Sequence, residues 1–140
     1  MFSEENIHKR SRIVSVNPYF FIIAFLKKKK IPIEEFTKFI GEKLALTWND
    51  AKDITPNEFA KFIALDYAAL GADKFTYEGD DKEAIVEIDE WPNPNLLAFW
   101  EVTLEDVDQM NTINKPIYDF LGFTREYKRV GSKMTFKIKK

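Results

Sequence analysis

The chain has 140 residues, thirteen Phe, five Tyr, three Trp and no cysteine; that is one domain's length, with an aromatic core and no disulfide, thiolate nucleophile or sulfur-held zinc. With no Asn-x-Ser/Thr triplet and no leader-like start, a reducing, cytoplasmic setting is expected. The net charge of −2 hides a segregation: residues 1–32 carry seven basic and two acidic groups, residues 73–108 two and twelve, and residues 115–140 eight and two.

Residues 1–12 are polar without apolar periodicity and read as a flexible N-terminal arm, leaving 13–140 as a single domain. Asn17-Pro18 then reads as N-cap and first helical position of a helix that is apolar all round from Tyr19 to Leu26. Lys27 to Lys30 complement the dipole at its C-terminal end. So short a run cannot span a bilayer, which takes about 20 residues. It belongs in the core or in a subunit interface, with an interfacial lipid anchor as the alternative. The spacing of Ile33, Phe36, Ile40, Leu44 and Trp48 predicts a second helix. A third begins at Thr55-Pro56 with Glu58 completing a capping box, carries Phe59, Phe62, Ile63, Tyr67 and Leu70, and stops at Gly71.

Phe75 and Tyr77 share one face of a strand that Gly79-Asp80-Asp81 turns into a second strand through Ala84, Val86 and Ile88. Trp91-Pro92-Asn93-Pro94 interrupts pairing. Leu96 to Val102 is ambiguous between strand and helix, and is read as a short strand or turn that buries Phe99 and Trp100. Thr103 caps a further helix, which Pro116 kinks or splits before Gly122. Thr124 to Val130 and Lys133 to Lys139 form a hairpin about Gly131-Ser132, with Met134, Phe136 and Ile138 facing the core.

Little in this pattern carries chemistry. His8, the only histidine, lies in the expected arm, without the rigid support that catalysis or metal binding needs. Ser3, Ser11, Ser15 and Ser132 have no nucleophile-elbow context. The glycines are isolated, so no phosphate loop is read, and no calcium-loop spacing occurs. No cofactor and no metal is expected. The basic residues are scattered over separate elements without a nucleic-acid signature, so no nucleic-acid partner is expected either. Glu87, Asp89 and Glu90, at a strand end before Trp91-Pro92, are the candidate catalytic carboxylates. The aromatic surplus supplies candidate ligand-binding residues: Trp91 first, then Tyr67, Tyr77, Phe99, Trp100 and Tyr118, with Trp48 beside them.

The order of elements resembles a superfamily. The EEFTKFIGEKLALTW stretch ending at Trp48 is similar to the Gly-x-x-Leu/Ala helix of vinyl-reductase-type ligand-binding domains, which are related in fold to TRAPP-like domains and to aminothiazoline-carboxylate hydrolase-like proteins. Trp91-Pro92 falls where hydrolase-like members have Cys-Pro, and GSKMTFKI resembles their closing G-x-x-C-x-F/Y-x-I strand. Neither stretch keeps the cysteine, so thiol chemistry does not carry over. The resemblance, over roughly residues 33–140, implies a mixed α/β domain that often dimerises through helices and holds a small apolar molecule or a partner protein.

The sequence therefore predicts an α+β fold, an antiparallel sheet covered by helices, in a single domain closed by a C-terminal helix and β-hairpin. The expected function is non-enzymatic: a small-molecule-binding or sensory module with an aromatic-lined cavity, taking a small apolar or aromatic ligand and forming a homodimer through Tyr19 to Leu26. Hydrolysis of a C–N bond by the carboxylates and a scaffolding role through the charged faces are the alternatives.

Overall fold

The structure, a computed structural model, describes the backbone of residues 3–140 and their side chains except those of residues 6–17. His8 and most of the expected N-terminal arm fall outside the described side chains. Within the described residues lie α1 (Glu4–Lys28), α2 (Ile33–Leu46), α3 (Pro56–Ala69), β1 (Lys74–Gly79) and β2 (Glu83–Asp89). They are followed by α4 (Pro94–Trp100), α5 (Leu104–Met110), α6 (Lys115–Leu121), β3 (Thr124–Val130) and β4 (Lys133–Lys139). Short 3-10 turns occupy Asn49–Ala51 and Asn111–Asn114.

The fold is the α+β class expected from the sequence. All three strand pairings are antiparallel, in the order β1-β2-β4-β3. Alternation decides which face is covered. Ala84, Val86 and Ile88 on β2 and Met134, Phe136 and Ile138 on β4 are buried under the helices, while Glu87, Asp89, Thr135 and Lys137 occupy the other face. Helix α3 packs on β1 and β2, and α6 lies against β3. From α3, Phe59, Ile63 and Tyr67 enter the core as the spacing required, but Phe62 points to the surface.

The charge segregation is resolved partly through α5, where Asp106 meets Lys27 at 2.6 Å and Asp108 meets Arg129 at 2.8 Å, and partly within the sheet. Acidic β2 lies beside basic β4, with Glu83 opposite Lys139, and Lys133 Nζ 3.5 Å from Glu87. Lys139 also lies 3.5 Å from Glu126 on β3. Such exposed pairs each contribute at most about 1 kcal/mol. Of the two, Lys133–Glu87 joins the acidic segment to the basic one.

The two hairpins, the capping box of α3 and the capped start of α5 match the sequence. Thr103 Oγ1 accepts from the Asp106 N–H, and Asp106 accepts in return from the Thr103 N–H. Pro116 stands in the first turn of α6, so the predicted long helix is split by the 3-10 turn. Gly131, at φ 60°, opens the β3-β4 turn in the left-handed region that its residue type tolerates.

Three expectations are corrected. Helix α1 does not begin at Asn17-Pro18: Pro18 lies inside it, and burial of Phe20, Ile23 and Leu26 holds the helix through the missing N–H. In α2 the expected stripe is buried only in part: Ile33 is buried, Phe36, Ile40 and Trp48 are half-buried and Leu44 is exposed. The covered face of α2 is Ile33, Thr37, Gly41 and Ala45, leaving Phe39, Leu44 and Leu46 exposed. The small face is needed because α2 lies close to the Asn111–Asn114 turn, where a Cβ on Gly41 would stand 2.4 Å from the Ile113 carbonyl oxygen. Finally, Leu96 to Trp100 is helix and not strand or turn, and only Glu101 and Val102 lie beyond it. Asn93 accepts from the Asn95 N–H at 2.8 Å and Pro94 occupies the first turn, so the segment is helical and Phe99 points to solvent.

Candidate functional site

The site is built at one end of β2. Past Asp89 the chain turns through Glu90, at φ 53°, and a cis Trp91-Pro92 bond into the cap of α4. This turn places the Trp91 ring inward, 4% exposed, with Nε1 donating to the Leu70 carbonyl at 3.0 Å. The Tyr67 ring meets it edge-on at 5.0 Å and Tyr19 at 5.7 Å, favourable geometries for aromatic pairs. In front of Trp91 lies an open groove of about 630 Å³. Pro92, Pro94, Leu97 and Leu104 give it an apolar lining, and Glu90, Asn93 and Ser132 supply polar groups. Its volume lies within the roughly 300–1,000 Å³ of small-molecule sites.

Behind Trp91 is a polar cluster. Asn111, fully buried in the turn after α5, accepts at Oδ1 from Tyr67 at 2.6 Å and Tyr19 at 3.0 Å. Its amide contacts the Tyr127 hydroxyl at 3.4 Å. Tyr127 donates to Asp108, which also accepts from Arg129 Nε at 2.8 Å. Arg125 donates to the Asn111 carbonyl at 3.2 Å and lies 5.1 Å over the Tyr127 ring. Burial pushes the Tyr19, Tyr67 and Tyr118 hydroxyls well above the ordinary tyrosine value. Burial, reinforced by the bond to Asp108, raises Tyr127 to about 12. All four are therefore neutral at physiological pH and act as fixed hydroxyl dipoles, not as proton acceptors with a matched pKa.

The candidate carboxylates do not converge on the groove as a catalytic pair. Glu87 faces Lys133 on the outer sheet surface. Asp89 accepts from Ser132 Oγ at 2.7 Å and from the Glu90 N–H at 2.8 Å, bonds that hold its carboxyl below the usual range. Glu90 borders the groove but is 2.6 Å from Lys74. None of the three is buried.

No protein-family model and no curated protein matches the chain. The aromatic candidates are likewise not gathered into one place. Trp91 and Tyr67 meet, whereas Tyr118 is buried against Phe59 at 4.9 Å and Tyr77 is exposed on the edge strand β1. Phe99 and Trp100 lie together on α4 at 5.1 Å, with Phe21 of α1 6.2 Å from Trp100. Trp48 sits between Phe59 and Phe62, 5.2 Å from each. The cluster around Asn111 was missed altogether. Its one sequence signal is the alternation Arg125, Tyr127, Arg129 on the strand paired with the apolar Ile138, Phe136 and Met134, which puts polar groups on an inward face and demands partners for them.

Proposed function

We propose that this chain is a non-enzymatic binding module that takes a small apolar or aromatic ligand in the Trp91 groove and works as a homodimer. The observation that carries this reading is the groove itself: an apolar lining on a tryptophan fixed by the Leu70 carbonyl and backed by buried rings. A rigid wall of this kind limits the ordering cost of binding. The neutral tyrosines and the outward-paired carboxylates favour binding over hydrolysis. The resemblance to vinyl-reductase-type domains supports the same reading at the level of fold, which does not by itself carry function.

The test uses the naphthalene-sulfonate dye ANS as an aromatic probe, in a variant with Trp48→Phe and Trp100→Phe so that Trp91 is the only tryptophan. Saturable binding that changes Trp91 emission, and is lost in Leu104→Asp with an unchanged circular dichroism spectrum, is the expected result. Binding that survives Leu104→Asp, or leaves Trp91 emission unmoved, overturns the groove assignment. Native mass spectrometry of freshly purified protein then shows any small molecule carried along.

A further inference from the structure

Helix α1 is apolar on both sides, and the core uses only one. Phe20, Ile23 and Leu26 are buried, while Phe21 is 45% and Phe25 54% exposed one turn apart on the other side. The strip continues onto α4, where Trp100 packs on Phe21 and the 73%-exposed Phe99 packs on Trp100. A ring buries about 150–250 Å², so the exposed parts of the three phenylalanines amount to roughly 250–450 Å² of apolar surface. That is comparable to the largest apolar patch of a typical monomer, which is often functional. Two copies face to face would cover roughly twice this from the phenylalanines alone, a large share of the about 1,200 Å² at which standard interfaces begin.

The charges beside the strip select the occupant. On the α1 side, exposed Lys28, Lys29 and Lys30 follow Phe25, and Lys29 Nζ lies 5.8 Å over its ring. On the α4–α5 side stand exposed Glu101 and Glu105. Lys27 is already engaged, donating to the Glu101 carbonyl at 3.1 Å and to Asp106 at 2.6 Å, and so ties α1 to the start of α5. A patch with an apolar centre, a basic side and an acidic side is complementary to itself under a two-fold rotation, which sets each basic side against the partner's acidic one. An anionic bilayer would attract the lysines but repel Glu101 and Glu105.

We infer that a second copy of this chain covers the Phe21, Phe25, Phe99 and Trp100 strip in an isologous dimer, with Lys28 to Lys30 of each protomer facing Glu101 and Glu105 of its partner. This rests on the homodimer part of the proposed function and supplies its interface. Sedimentation velocity on the full chain at micromolar concentration tests it, together with Phe99→Glu, K28E/K29E/K30E and E101K/E105K, each checked for folding by circular dichroism. The expected results are a wild-type dimer, a Phe99→Glu monomer, weakened homodimers of both charge-reversal variants, and a heterodimer regained on mixing them. A Phe99→Glu protein that stays dimeric, or charge variants that do not select each other, overturns this interface while leaving a homodimer in place. A wild-type monomer overturns the interface and the homodimer together. If that monomer also co-floats with phosphatidylserine vesicles, the strip is a lipid-binding face instead. The Trp91 emission change on adding ANS reads the groove separately from the strip, because none of Phe21, Phe25, Phe99 and Trp100 lines the groove.

Discussion

Asn111→Ala should be among the most damaging single changes in the molecule outside its apolar core. It removes the acceptor shared by the Tyr19 and Tyr67 hydroxyls and the amide that contacts Tyr127. A buried donor left without a partner costs about 1–3 kcal/mol, so two orphaned hydroxyls amount to about 2–6 kcal/mol. A domain of this size has about 5–15 kcal/mol in all. Urea unfolding followed by circular dichroism gives the difference from the shift in midpoint at constant slope. A double-mutant cycle with Tyr67→Phe isolates the pairwise contribution: once the Tyr67 hydroxyl is absent, losing Asn111 should cost about 1–3 kcal/mol less. A total cost below about 1 kcal/mol, or a cycle with no coupling, would refute the claim that the Tyr67–Asn111 bond is an obligatory satisfaction of a buried donor.

Further outcomes follow from other parts of the fold. Gly41→Ala should destabilise by about 1–3 kcal/mol despite the better helix propensity of alanine, because its methyl meets the Ile113 carbonyl at 2.4 Å; an unchanged melting temperature would contradict this contact. Thr55→Ala should cost about 1 kcal/mol by removing the acceptor of the Glu58 N–H, measured by thermal unfolding. Tyr19, Tyr67, Tyr118 and Tyr127 all have folded pKa values raised above the unfolded value near 10, so the stability they confer is present below about pH 10 and is lost as pH rises through the folded values. Alkaline titration should show the tyrosinate absorbance of these four appearing together with unfolding, and their free ionisation near pH 10 in folded protein would contradict their burial. Asp89 has the opposite sign: its carboxyl is depressed by the Ser132 bond, so its contribution is present above the unfolded carboxylate value and lost as pH falls through the folded one. Carbon-detected NMR titration should show the Asp89 pKa rising in Ser132→Ala.

Much of the fold was legible because local chemistry and burial agree. Thr55-Pro56 and Thr103 cap helices whatever packs around them, and Gly131-Ser132 sets a hairpin whose alternating Met134, Phe136 and Ile138 can face only one way. The failures occurred where tertiary contacts outrank the local signal. Pro18 reads as a helix start, yet the helix continues through it because the residues beyond are buried. In α2 the large side chains form the visible stripe, but close approach to the Asn111–Asn114 turn selects the small face for burial. Asn93-Pro94 carries the same start signal as Thr55-Pro56 and was overlooked because the apolar run after it can also be read as a strand. The candidate site was legible at Trp91, with Tyr67 packed on it and Glu90 at its border. Its groove is assembled from the loop after β2, α4, α5 and the β3-β4 turn, and no spacing in the chain reports that these meet.

The strand order also bears on how quickly the sheet can form. Each hairpin closes locally, but the central ladder between β2 and β4 joins Glu83 to Lys139, 56 positions later. The entropy of closing so long a loop must be met before that pairing contributes any stability. Until then the inner faces of both hairpins, and the helix surfaces meant to cover them, stay open to water and to other chains. The central ladder is therefore the step at which folding competes with aggregation. The exposed acidic and basic side chains on β2 and β4, attractive to each other and well solvated before they meet, favour the correct encounter during that interval.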